Sequence, residues 1–218
     1  TKEDYARISQ SKIFKRLASY VEPVFLELNE TGDEETVYTK VTIGFEQATR
    51  YACEQKSYAI YLLPDCIISD GTLCRLERYA QEGRDVVLLP GPRLIKEKVM
   101  SYIEDMHLSD DAILTFEPRK LVSIGLDFLH SEFENYNYTG SRFTKWPHMV
   151  TWSVPKQNGL LIRAFHLHPL MVNYSNQNRP VDFDKYDTID GGFIKRNFLN
   201  LNTFLLETDS DNMILYSL

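Results

Sequence analysis

The sequence predicts an α/β fold: a mostly parallel sheet with helices on its faces, followed by a β-hairpin and a long loop. Three observations carry that expectation. Two apolar, strand-like runs at 59–63 and 85–91 bracket a helical pattern at 72–82. A second long helical pattern occupies 38–55, just ahead of the first run. Strand, helix and strand joined by short turns is the signature of a sheet with helices on its faces. Past residue 140 the texture changes to aromatic and β-branched runs around the turn KQNG, which predicts a hairpin.

The elements follow in order. Residues 4–20 read as a helix, with Ile8, Ile13, Phe14, Leu17 and Ala18 at helical spacing and Glu3 and Asp4 near its start. VEPVFLELNE, at 21–30, reads as a buried strand, and TGDEETV as a polar loop. In the 38–55 helix, Val41, Ile43, Phe45, Ala48 and Tyr51 or Ala52 turn toward the core. The 59–63 strand ends at Pro64 and Asp65, the turn CIISDG follows, and Gly83 stops the next helix. Residues 96–106 and 117–134 read as helices joined by the acidic LSDDA. The hairpin pairs HMVTWSVP with LLIRAFHLHPLMV, and 173–192, rich in Asn, Asp, Tyr and Gly, reads as a long loop. The organisation expected is one domain over 1–218, with an α/β half at 1–95 and a helical and hairpin half at 96–218.

Composition narrows the function classes. The 218 residues are 43% hydrophobic and 25% charged, close to globular averages, which argues against disorder, fibrous repeats and membrane-embedded folds. A net charge of -7 argues against extended nucleic-acid binding, which needs clustered Lys and Arg. Cys53, Cys66 and Cys74 are odd in number and lack a CxxC spacing, so neither a disulfide framework nor a structural zinc site is expected, and a reducing cytoplasm fits. No apolar stretch reaches the roughly 18 to 20 residues of a transmembrane helix. The phosphate-loop, dinucleotide, zinc-protease and nucleophile-elbow motifs are absent.

Polar chemistry concentrates in a few places. Asp65 stands at the carboxyl end of a strand, and Asp70 and Gly71 follow in the turn before a helix, at the sheet edge where ligands gather. Carboxylates there suit Mg or Mn, ions that also bridge diphosphates, while Ser69 or Asp70 equally suits a helix N-cap. In FHLHPL, His166 and His168 lie two apart on a strand and so face one side, toward one ion or phosphate; the alternative is one buried and one exposed histidine. In DTIDGG, Asp190 precedes Gly191 and Gly192, which make either a sharp turn or a close backbone approach. His148, after Trp146 and Pro147, is a candidate acid, base or hydroxyl contact, or a structural residue. Arg93, in LPGPR, offers a forked guanidinium to a phosphate beside a rigid turn.

The segment LLPDCIISDGTLCRL resembles nucleotide-sugar glycosyltransferases of the GT-A type, in which a buried strand ends in an acidic motif, often Asp-x-Asp, followed by a loop and a helix. The resemblance covers about residues 21–95, with an echo in FHLHPL. Leu63 stands at the family's first Asp and Asp65 at its last, and no base-gripping strand is visible before Val21, so that element is expected upstream. The resemblance implies a GT-A-like, Rossmann-related sheet and sugar transfer from a nucleotide-diphosphate donor to a saccharide or other hydroxyl acceptor. It also implies a Mn or Mg ion held by Asp65 with His166 or His168; an inverting transfer needs a base, for which Asp190 is the candidate with His148 assisting, whereas a retaining one needs none, and Asp70, Gly71 and Arg93 are the candidate donor contacts. Two other classes remain open: a non-catalytic ligand-binding domain of a larger protein, and a metal-dependent phosphoester hydrolase using Asp65, Asp70 and His166.

Overall fold

Ser11 splits the amino-terminal segment into α1 (Lys2–Gln10) and α2 (Lys12–Leu17), where one helix was expected, because its Oγ accepts the Phe14 N–H at 3.1 Å and caps the second helix. The computed structural model describes residues 2–26, 37–106, 114–144, 149–157, 159–165, 167–177, 180–183 and 188–218. Residues 21–26 form no strand, and Val21, Val24, Phe25 and Leu26 are exposed, so the buried strand expected there is corrected for these positions. Residues 27–30 lie outside the described residues.

From there the order is α3 (Val37–Glu54), β1 (Tyr58–Ile60), β2 (Cys66–Ile68), α4 (Thr72–Gln81), β3 (Val86–Leu89), α5 (Lys96–Glu104), α6 (Pro118–Asp127) and α7 (Phe133–Tyr136). The second half contributes β4 (Met149–Val154), β5 (Gly159–Ala164), β6 (His168–Asn173), α8 (Gly191–Asn197), β7 (Phe204–Leu206) and β8 (Leu215–Ser217). The 38–55 and 72–82 helices stand close to their expected bounds. Gly83, at φ +79°, closes α4 in the left-handed conformation that glycine adopts without strain.

Among the described residues the largest sheet has four strands in the order β1-β6-β3-β7, and it is mixed. This overturns the mostly parallel, GT-A-like and Rossmann-related sheet. β1 and β3 run in one direction with α4 between them, as the sequence pattern requires, but they are not neighbours. β6 lies between them, antiparallel to both, with Ala59 opposite Val172 and Val87 opposite Met171. Only β3 and β7 pair in parallel, Val87 beside Leu205. A helical crossover fixes strand direction but leaves a gap that a later strand can fill.

The hairpin is also shorter than expected. β4 and β5 pair in register from Met149–Ala164 to Val154–Gly159, and the chain then leaves at Phe165 to enter the main sheet as β6. The small β2–β8 pair stands apart.

Strand alternation puts Val86 and Val87 on opposite faces of β3, and each founds a core. On one face Val86 and Val172 pack with Ala52 of α3, Tyr61, Tyr174, and Phe193 and Ile194 of α8. On the other, Val87 and Leu89 pack with Leu76 and Tyr79 of α4, Leu170 and Met171. A third cluster joins Leu94, Val99 of α5, Leu121 of α6, and Ile214 and Tyr216 beside β8.

Candidate functional site

β1 and β3 finish at the same end of the sheet, and β6, running the other way, begins there. Tyr61 extends the β1 ladder by donating its N–H to Leu170 O at 3.0 Å, and the chain proceeds through Pro64 to Asp65. β3 proceeds through Pro90 to Arg93. The last strand ties these exits together: Ser217 N–H donates to Pro92 O at 3.1 Å, Leu94 N–H to Ser217 O at 2.8 Å, and Leu218 N–H to Asp65 O at 2.9 Å. The backbone of Asp65 and Arg93 is thereby anchored while both side chains are exposed.

His168, the first residue of β6, meets this end directly. Its Nε2 lies 3.0 Å from Tyr61 O, and a carbonyl oxygen only accepts, so Nε2 carries the proton in this contact. A Cβ placed on Gly91 would stand 3.9 Å from His168 Cβ, so the exit of β3 passes alongside the same histidine. Tyr61 is rigidly held in turn. Its hydroxyl lies 2.6 Å from Thr49 Oγ1 and 2.8 Å from the Tyr174 hydroxyl, within the core. Burial pushes the pKa of Tyr61 and Tyr174 up from the ordinary tyrosine value, so both remain neutral donors and acceptors.

Asp70 and Gly71 stand elsewhere. Asp65 and Asp70 lie on either side of β2, up to roughly 16 Å apart by strand rise. Asp70 N–H donates to Phe116 O at 2.7 Å, and its Oδ1 accepts the Gly71 N–H at 2.9 Å. Gly71, at φ +76°, occupies the N-cap of α4 without a side-chain cap bond, while Ser69 and Thr72 link their hydroxyls at 3.2 Å. Asp70 and Gly71 line an open depression of about 400 Å³ with Glu117, Pro118, Arg119 and Asp211. Arg119 forks onto Asp211 and holds its carboxyl below the usual carboxylate range.

Asp190 caps α8. Its Oδ1 accepts Gly192 N–H at 2.7 Å and Phe193 N–H at 3.0 Å, a standard N-cap arrangement. Because α8 packs on the Val86 face and α4 on the Val87 face, Asp190 and Asp70 begin helices on opposite sides of the sheet. His148 and His166 lie outside the described residues.

The expected site residues therefore divide. Asp65, Arg93 and His168 gather at one end of the sheet, Asp70 and Gly71 line a separate depression, and Asp190 is a helix cap. Sequence reasoning missed the Thr49–Tyr61–Tyr174 network and the Arg119–Asp211 pair. The first carries no local signal, because its members are 113 residues apart at the Tyr61–Tyr174 contact. The acidic turn TDSDN at 208–212 was a visible signal for the second.

Comparison with known protein families, with curated proteins and with solved structures finds no match to this chain.

Proposed function

We propose that the protein binds a nucleotide-diphosphate sugar, with a divalent cation, at the sheet end formed by β1, β3 and β6, and transfers the sugar to a hydroxyl acceptor. The observation that carries this reading is the bond from His168 Nε2 to Tyr61 O, which holds an imidazole beside the strand exit that leads to Asp65. A histidine that donates one ring N–H to a backbone carbonyl is held in a fixed orientation, as metal-binding imidazoles commonly are. The acidic motif's resemblance to nucleotide-sugar transferases supports the same reading.

The donor set fits Mn or Mg in one specific sense. Such ions are commonly held by one or two protein groups, with substrate phosphates and water supplying the rest. Among the described residues no group of three His, Cys, Asp or Glu converges. Asp65 and His168 are the protein ligands proposed. When bound, the cation offsets negative charge on the departing diphosphate.

The chain's own residues position the donor. Arg93, exposed beside the anchored exit of β3, presents a planar fork suited to a phosphate. In the transfer, the acceptor oxygen bonds to the anomeric carbon, the bond from that carbon to the diphosphate oxygen breaks, and the acceptor's hydroxyl proton leaves to a base. Asp190 is not the base in this scheme, since its Oδ1 accepts two backbone N–H groups.

The test is turnover of a panel of uridine and guanosine diphosphate sugars with Mn, with and without chelator. Release of nucleoside diphosphate that chelator stops and Asp65→Ala removes supports the proposal. Binding of a donor without turnover would reassign the protein as a ligand-binding domain, and neither binding nor turnover would remove the reading.

A further inference from the structure

Helical hydrogen bonding in the amino-terminal segment runs beyond α2, with Ala18 N–H donating to Phe14 O at 2.8 Å and Val21 N–H to Leu17 O at 3.1 Å. Ile13 and Leu17 lie four residues apart on one stripe of α2, Tyr20 and Val21 follow in the hydrogen-bonded turn after it, and Val24 lies in the chain beyond. These side chains face outward: Ile13 and Tyr20 are each 78% exposed, Leu17 52% and Val24 50%. The aromatic contacts of the segment are local, with Phe25 edge-on to Tyr5 at 4.5 Å and tilted against Phe14 at 5.4 Å. Ile13, Leu17 and Tyr20 take no part in them.

The charge of this segment opposes that of the chain. Residues 2–24 carry five basic residues, Lys2, Arg7, Lys12, Lys15 and Arg16, against the three acids Glu3, Asp4 and Glu22, a net of +2 in a chain whose net charge is -7. Lys12, Lys15 and Arg16 alternate in sequence with Ile13, Phe14 and Leu17, so cationic positions flank the apolar stripe. A short basic amphipathic helix with protruding aliphatic and tyrosine side chains has the composition of an element that lies in a bilayer interface.

We infer that α1, α2 and the turn through Val24 form a docking surface for an anionic lipid bilayer, with Ile13, Leu17 and Tyr20 entering the headgroup boundary and Lys15 and its basic neighbours facing the lipid charge. Charge complementarity and single protruding side chains, in place of a groove, favour a lipid surface over a second copy of the chain. The inference stands independently of the transferase reading.

The experiment is cosedimentation of the 218-residue chain with phosphatidylcholine vesicles, pure or containing about a third phosphatidylserine. Expected is sedimentation with the phosphatidylserine vesicles alone, weakening as salt is raised. Lys15→Glu and Ile13→Ser should each weaken binding about tenfold, with an unchanged melting temperature because both positions are exposed. Equal binding to both vesicle types, or no binding to either, overturns the inference. So does a stable dimer in sedimentation velocity that Ile13→Ser dissociates, since the stripe would then be covered by a second copy.

Discussion

The backbone carbonyl of Tyr61 accepts a hydrogen bond from His168 Nε2 at 3.0 Å, while the side-chain hydroxyl of the same tyrosine lies 2.8 Å from that of Tyr174. One residue thus couples the candidate site to the core between α3 and α8. His168 is oriented by a strand whose next side chain is locked from behind, so its ring position is set by the fold and not by solvent.

His168→Ala should cost about 1 kcal/mol of stability, the typical worth of one hydrogen bond. Cation-dependent donor affinity should fall at least about tenfold, as expected when a ligand imidazole or its orientation is lost. Chemical denaturation and donor titration with and without Mn separate the two effects. A large loss of stability with unchanged donor affinity would make His168 a structural group.

The buried tyrosines predict an alkaline limit to stability. Burial raises the pKa of Tyr61, Tyr174 and Tyr216 above the ordinary value of 10.0, so the folded protein keeps protons that the unfolded chain releases. Their contribution is complete below pH 10.0 and declines as pH rises above it toward the folded values. Urea midpoints measured across that range should fall, and the fall should be shallower in Tyr174→Phe, which also loses about 1 kcal/mol at neutral pH.

Two glycines should respond oppositely to the same substitution. A Cβ on Gly125 in α6 would stand 2.3 Å from Tyr216 Cζ, and Tyr216 is 2% exposed and cannot easily yield. Gly125→Ala should cost about 1 to 3 kcal/mol or more by overpacking. A Cβ on Gly44 in α3 meets nothing within 4 Å, so Gly44→Ala should add about 0.5 to 1 kcal/mol through helix propensity. Thermal denaturation of both variants reads the contrast directly.

Asp190→Ala should lower stability by about 1 kcal/mol and Asp190→Ser by less, the behaviour of an N-cap. Donor turnover should persist in both variants. Loss of turnover in Asp190→Ser, with stability retained, would return Asp190 to a chemical role.

The parts of this fold that local sequence controls were legible. Apolar runs marked β1 and β3, helical spacing marked α3 and α4, and Gly83 marked the end of α4. Sheet order was not legible, because the strand between β1 and β3 arrives nearly eighty residues after β3 and the strand beyond β3 later still. Periodicity says that a segment is a strand and not which strand lies beside it. The apolar run at 160–172 hid a break at Phe165, and the three-residue strands β7 and β8 are too short to show alternation. In the amino-terminal segment the apolar spacing marks helix but not burial, for Ile13 and Leu17 are exposed. The candidate site followed the same rule. Asp65, expected at a strand's carboxyl end, lies in the turn between β1 and β2; its company with His168 depends on the placement of β6, and Asp190 was drawn by its neighbouring glycines while its carboxylate serves the helix they begin.

The most direct measurement is a titration of the chain with Mn and uridine or guanosine diphosphate, followed by paramagnetic broadening of the His168 ring resonances. The account predicts that these resonances broaden at substoichiometric Mn when the diphosphate is present, and that Asp65→Ala abolishes the effect while the protein stays folded. Broadening that spares His168, or that survives unchanged in Asp65→Ala, would contradict it.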